Sequence, residues 1–246
     1  MKKLKFNEKK HTYELDGELY PSVTTVLNVI NKPALIPWAV KLCAETAKRE
    51  INKVTEDHVA VSDVVFGIID EAKKAWTAKR DSAGDVGKEF HKLVEVGIKT
   101  CMEKNDGYEP YYEFPDNQDD YSQLDNMFYV FSYWCKKNKV KFLRTETKLY
   151  SRKYRYAGTM DILCEFDRLT YVADIKTSSN IYPTMFFQTA AYQYAYTEHN
   201  PGAVISGNMI INVTKDGGFK TEESYSYADN LSAFLSALNI YKTLNK

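Results

Sequence analysis

Residues 156–179 read "YAGTMDILCEFDRLTYVADIKTSS". The stretch is mostly aliphatic, aromatic or β-branched around a polar "FDRL", so it reads as two strands of a hairpin. Into those strands it sets Asp161, Asp174 and Lys176. Charged side chains are almost never fully buried unless they are paired or bound to something. The turn centre falls between Asp167 and Arg168, with Asp161 six residues before the first and Asp174 six after the second. Folded about that centre, the two aspartates face each other, and opposed like charges destabilise a sheet. A divalent cation between them reverses the sign. Lys176, two residues beyond Asp174, projects from the same face. Oxygen ligands of this kind suit Mg²⁺ or Mn²⁺. A surface ion-pair cluster on a solvated hairpin face is the other reading of the same residues.

Outward from the hairpin, residues 140–151 have the same strand texture. Residues 183–199 read as a helix, with Pro183 in its first turn and "NPG" beyond its end. Residues 204–213 and 219–227 form a second hairpin around "KDGG", and residues 229–244 close the chain as a helix. Upstream the texture is helical. Residues 85–102, "DVGKEFHKLVEVGIKTCM", carry Phe90, Val94 and Ile98 on one stripe, joined by Leu93 and Cys101. Residues 124–137 read as another helix. Residues 37–50 and 55–83 read as helix, with a break around Gly67. Residues 4–19 read as a small hairpin turning at Asn7–Lys10, and Ser22 or Thr24 caps a short helix after it. The fold class is α/β (α+β), with a mixed sheet. Residues 1–83 form an N-terminal hairpin and helical region and residues 84–246 the core, packed as a single compact domain.

The chain has 246 residues, enough to bury a substantial core. Its net charge is zero, which excludes a protein that coats nucleic acid through bulk charge. Basic residues cluster locally from Lys136 to Arg155, where Glu146 is the only acid. The stretch from Glu103 to Asp125 has the opposite bias and reads as a solvated loop or insertion. Four widely spaced cysteines form no CxxC, so they read as reduced packing residues. No apolar run of membrane-spanning length and no signal peptide is present, so a cytoplasmic protein without a membrane partner is expected.

Four short motifs occur in order: "GKEFH" ending at His91, "GTMD" ending at Asp161, "DIK" from Asp174 to Lys176, and "QTAAY" from Gln188 to Tyr192. Together, over roughly residues 84–213, they resemble the PD-(D/E)XK nuclease superfamily, RecB-type exonuclease branch, which includes phage recombination exonucleases. "YPSVTTVL" near the N-terminus resembles the opening of single-strand exonucleases of this branch. The resemblance implies a restriction-endonuclease-like core, a central mixed sheet flanked by helices, with an added N-terminal helical region. It implies a metal-dependent DNA exonuclease in phage or mobile-element recombination or replication, working in the cytoplasm of a bacterial host. A structure-specific endonuclease, or a non-catalytic nucleic-acid-binding accessory protein with this fold, are the alternatives. DNA with a free end or a single strand would be the partner, alongside a phage recombination or replication protein.

By the same resemblance, His91, Asp161, Asp174 and the Ile175 carbonyl would hold Mg²⁺ or Mn²⁺. Lys176 would orient or deprotonate the attacking water. Gln188 and Tyr192 would border the site from one helix face. Glu146 matches an acidic residue of that branch and would bind a second metal or a water; a strand salt bridge to Lys148 or Arg144 is its other reading. Glu95, a turn beyond His91, would orient the imidazole or be solvated. Ser22, Thr24, Thr25, Arg152, Lys153 and Arg155 are the candidate nucleic-acid contacts. Iron–sulfur relatives carry a C-terminal cysteine cluster, whereas the last cysteine here is Cys164, so no cluster is expected.

Overall fold

The computed structural model describes residues 4–7, 12–30, 35–51, 61–104, 108–112 and 122–245. Its main body is a five-stranded mixed sheet, in chain order β4 (Lys141–Ser151), β5 (Tyr156–Phe166), β6 (Leu169–Lys176), β7 (Gly207–Val213) and β8 (Phe219–Ser224). The β6–β7 pairing is parallel and the other three are antiparallel. A parallel pair needs a crossover, and α5 (Pro183–His199) supplies it, starting at Pro183, whose missing N–H costs nothing in a first turn.

The β5–β6 hairpin turns on Asp167 and Arg168, both with positive φ (47° and 64°), the backbone of a two-residue turn that matches strand twist. Its pairing runs from Phe166↔Leu169 to Ile162↔Ala173. One step further, Asp161 comes level with Asp174, the register read from the sequence.

One face of the sheet is covered by α5 and α6 (Tyr227–Leu244). Tyr156, Met160, Leu163 and Val172 pack there against Tyr192 and Phe234. Across the other face lies α4 (Ser122–Lys137), whose Trp134 ring packs on Phe166 and Phe219 at 5.6 and 5.5 Å. Met160 and Leu163 both join the α5-side cluster although they lie three positions apart. Strict alternation would send them to opposite faces, so β5 turns over between them, at Asp161.

The N-terminus forms a second sheet of three strands, β1 (Lys5–Asn7), β2 (Thr12–Leu15) and β3 (Glu18–Pro21). The third strand departs from the single hairpin read in the sequence. It follows a turn at Asp16–Gly17, both with positive φ, and the "DG" pair is its signal. The expected turn at Asn7–Lys10 lies largely outside the described residues. Tyr13, Tyr20 and Ala157 pack together, and Tyr13 Oη meets Thr159 Oγ1 at 2.8 Å, which fastens this sheet to β5. A short helix, α1 (Val23–Leu27), follows.

Two compact units divide the chain: residues 1–30 with 89–246, and residues 31–88. The second holds α2 (Leu35–Ile51) and the first part of α3 (Val61–Lys104). Within it Cys43 Sγ donates to the Ala72 carbonyl at 2.9 Å. The helix α3 is unbroken over 44 residues. The helices read at 55–83, with a break around Gly67, and at 85–102 are one helix over the described residues: Gly67 and Gly84 both lie inside α3. A Cβ on Gly67 or Gly84 would meet nothing, so these glycines cost the helix about 1 kcal/mol each relative to alanine and do not end it. No helix among the described residues is long and apolar enough to cross a membrane. The acidic stretch 103–125 lies mostly outside the described residues.

Candidate metal centre

Three acidic residues come level across three neighbouring strands: Glu146 on β4, Asp161 on β5 and Asp174 on β6. The β4–β5 register pairs Thr145 with Ile162 and Thr147 with Met160, so Glu146 stands opposite Asp161. Glu146 itself has φ 44°, a left-handed backbone that costs a residue with a Cβ of order 1–3 kcal/mol and persists only where the surroundings impose it. Thr145 Oγ1 donates to the Asp161 carbonyl at 3.0 Å, bracing the distorted pair.

His91 enters from α3. The stripe of Phe90, Val94 and Ile98 is buried, and the adjacent His91 points away from it, keeping 32% of its side chain exposed. Its Nδ1 stands 3.4 Å from Asp161 Oδ2. Ligand atoms of His91, Glu146 and Asp161 all lie within 4.8 Å of one another, the one such trio among the described residues. Asp161 Oδ2 also accepts from the Ile175 backbone N–H at 2.9 Å, which brings the Ile175 peptide to the same point.

Asp174 is 1% exposed. Its carboxylate pairs with the Lys176 ammonium, and its Oδ1 accepts from Gln188 Nε2 at 2.8 Å. Gln188 Oε1 in turn accepts from Lys176 Nζ at 3.2 Å, and Gln188 Nε2 also donates to Tyr192 Oη at 3.0 Å. One helix face of α5 thus holds both members of the ion pair. Tyr192 can lie that close to β5 because residue 158 is glycine: a Cβ there would come within 2.5 Å of its ring.

The charges are short of countercharge. Burial, then Asp161 and Glu95, push the Glu146 carboxyl up to about 8. Burial drives Asp174 upward against the pull of Lys176. Burial also lowers the His91 imidazole, opposed by Asp161, so a ring nitrogen is free near neutral pH. Carboxylate oxygens, one imidazole and a backbone carbonyl in a region that penalises uncompensated negative charge fit a hard divalent cation such as Mg²⁺ or Mn²⁺.

The remaining sequence candidates fall elsewhere. Glu95 pairs with Lys99 rather than orienting His91. Glu146 joins His91 and Asp161 instead of pairing along its strand with Lys148 or Arg144. Ser22 is buried and its hydroxyl caps α1, accepting from the Thr25 N–H at 3.0 Å and donating to the Thr25 hydroxyl at 2.7 Å. That use corrects its reading as a free nucleic-acid contact; Thr24 stays exposed. Arg152, Lys153 and Arg155 lie on the exposed β4–β5 turn, where Arg152 faces Asp16 at 3.9 Å and Arg155 faces Glu18 at 3.2 Å. Two residues of this region escaped the sequence reading. Asn208 and Asn212 are polar residues in "GNMIINV", a strand buried at every position. The signal was the same one that singled out Asp174, a polar group in a buried run. No family model and no curated protein matches this chain.

Proposed function

We propose that this protein is a metal-dependent deoxyribonuclease, acting from DNA ends, built on a restriction-endonuclease-like core of the PD-(D/E)XK type. The observation that carries the reading is the level row of Glu146, Asp161 and Asp174, with His91 beside it and Lys176 paired to its most buried member. Such a row of carboxylates is unfavourable by itself. A bound Mg²⁺ or Mn²⁺ would polarise the scissile phosphate and lower the pKa of a water for in-line attack. Asp161 and Asp174 would hold the cation from adjacent strands, with the Ile175 carbonyl, and His91 would close the site from α3. Glu146 adds a third carboxylate for the water or a second cation. Lys176, an ammonium paired with Asp174, would orient that water and offset charge developing on the phosphate. Gln188 holds Lys176 and Asp174 in place, and Tyr192 holds Gln188.

The test uses purified protein with end-labelled linear DNA and covalently closed circles. Cleavage of the linear form with Mg²⁺ or Mn²⁺, none in excess EDTA, and spared circles are expected. Ca²⁺, larger and looser in geometry, should bind without supporting turnover. Full cleavage in EDTA overturns the reading. Nicking of closed circles keeps the metal chemistry and replaces end-directed action with endonuclease action.

A further inference from the structure

Asn212 lies on β7, paired with Lys176 in parallel register. Paired residues of parallel strands share a face, and here it is the α5 face. Asn208, at the same parity, donates to Gln193 of α5 at 2.9 Å, and Ile210 packs on Met185 and Phe186. Asn212 is therefore the lateral neighbour of Lys176, with backbones about 4.8 Å apart. It is 4% exposed. Its Nδ2 donates to the Ser178 carbonyl at 3.0 Å, which fixes which way the amide faces. The other end, Oδ1, is buried and has no hydrogen-bond partner among the described residues. A buried acceptor left without a donor costs about 1–3 kcal/mol, so a donor is expected to visit it. By register two lysines flank it, Lys176 on β6 and Lys220 on β8; Lys220 is exposed and paired with Glu222, which leaves the Lys176 ammonium as the largely buried donor.

That ammonium has two arrangements open to it. In this structure it sits on Asp174, with Gln188 as second partner. Once Asp174 turns its carboxylate to a divalent cation, the ammonium loses its anion and is repelled by the added positive charge. We propose that Asn212 is a positioning residue for Lys176, its Oδ1 receiving the ammonium in the metal-bound state. This inference rests on reading Asp161 and Asp174 as a metal site. It gives Lys176 a parked position from which it still faces the reacting water.

The experiment measures Mn²⁺ affinity by titration of the protein without DNA. Wild type, Asn212→Ala, Asn212→Asp, Lys176→Met and the double variant Asn212→Ala/Lys176→Met are compared, each first checked for folding by circular dichroism. Loss of the acceptor should raise the Mn²⁺ dissociation constant about tenfold in Asn212→Ala, the scale of one hydrogen bond to a charged group. Asn212→Asp keeps an acceptor but gives up the amide N–H donated to Ser178, so it should bind Mn²⁺ at least as well as wild type. In the Lys176→Met background, Asn212→Ala should change nothing. Equal weakening by Ala and Asp assigns Asn212 to tethering the loop at Ser178 and overturns the proposal, as does an undiminished loss in the Lys176→Met background. Normal Mn²⁺ binding by Asn212→Ala overturns it while leaving the metal site standing. No Mn²⁺ binding by wild type overturns both.

Discussion

Two charged regions stand out in the sequence, and the fold treats them in opposite ways. The tip of the β4–β5 hairpin carries Arg152, Lys153 and Arg155, all exposed, and places an acid against each arginine: Asp16 for Arg152, Glu18 for Arg155. Aromatic rings add to this, with Tyr150 under Arg152, Tyr154 under Lys153 and Tyr20 under Arg155. Lower down, Glu146, Asp161 and Asp174 share one level across β4, β5 and β6, with the Lys176 ammonium paired to Asp174 and Lys99 the cation that acts on Glu146. The tip is a solved electrostatic problem that happens to be basic. The row is unsolved, held together by Lys176, by a left-handed residue at Glu146 and by a glycine that admits Tyr192. Local strain and uncompensated charge, rather than the amount of charge, mark a site.

The largest effect should come from the most buried member of the row. Asp174→Ala removes an anion that Lys176, Gln188 and the proposed cation all need, so it should lower Mg²⁺-dependent cleavage by about 10³-fold, the size of several kcal/mol of lost charge stabilisation. DNA binding should persist, since affinity rests mainly on phosphate contacts. Equal loss of binding and cleavage, measured by gel shift and end-label release, would erase the contrast between the row and the tip.

A smaller loss is expected from Gly158→Ala, which touches no charge. The added methyl meets the Tyr192 ring at 2.5 Å and must push it, or α5, away. Overpacking of this kind costs about 1–3 kcal/mol. Because Tyr192 braces Gln188, and Gln188 braces both Asp174 and Lys176, cleavage should fall about tenfold, on the scale of a misplacement of the proposed catalytic groups. A destabilised protein with undiminished cleavage per folded molecule would show that Tyr192 only packs.

Much of this arrangement is legible in the sequence. The Asp161–Asp174 register follows from counting back from "FDRL", because a two-residue turn leaves no freedom in the pairing. Pro183 and the following "NPG" mark the bounds of α5. Residues whose role depends on strand geometry are harder. Glu146 reads as one acid in a basic strand, and only its positive φ and its place opposite Asp161 separate it from a salt-bridge partner. Asn212 shows in the sequence as a polar residue in a buried run, but its place beside Lys176 needs the parallel β6–β7 register. Ser22 is legible as a cap, and that same use removes its hydroxyl from other work. The glycines of α3 mislead the eye, because a helix interior tolerates a single glycine at modest cost.

Glu146 tests whether the row really lacks countercharge. Its carboxyl is pushed up to about 8 from an ordinary 4.5. A raised acid contributes stability below its unfolded value and loses it as pH climbs through the folded one. The metal-free protein should therefore lose stability between about pH 5 and pH 8 from this group. Glu146→Gln should flatten that loss and raise the midpoint at the alkaline end by roughly 2–4 °C per kcal/mol relieved. Metal binding needs the carboxylate, so the stabilisation by Mg²⁺ should grow over the same interval. A Mg²⁺-induced shift in melting temperature that is flat between about pH 6 and pH 8 would mean that Glu146 is paired by something else.

The smallest effect belongs to the tip. Each arginine there must leave its acid before it can hold a phosphate, and an exposed ion pair is worth only about 0–1 kcal/mol, so the cost of release is modest and the gain equally so. Charge reversal at Arg152 and Lys153 should weaken DNA binding a few-fold and lower the salt slope by about one unit for each phosphate no longer held. The opposite change gives the sharper result. Asp16→Asn with Glu18→Gln leaves both guanidiniums in place and removes the acids that occupy them. If a DNA backbone crosses this hairpin, that double variant should bind more tightly than wild type and show a steeper dependence on salt. If binding and salt slope are unchanged in both the reversed and the released variants, the tip is structural, its acids and arginines serve to fasten β3 to β5, and the path of the DNA lies along another face.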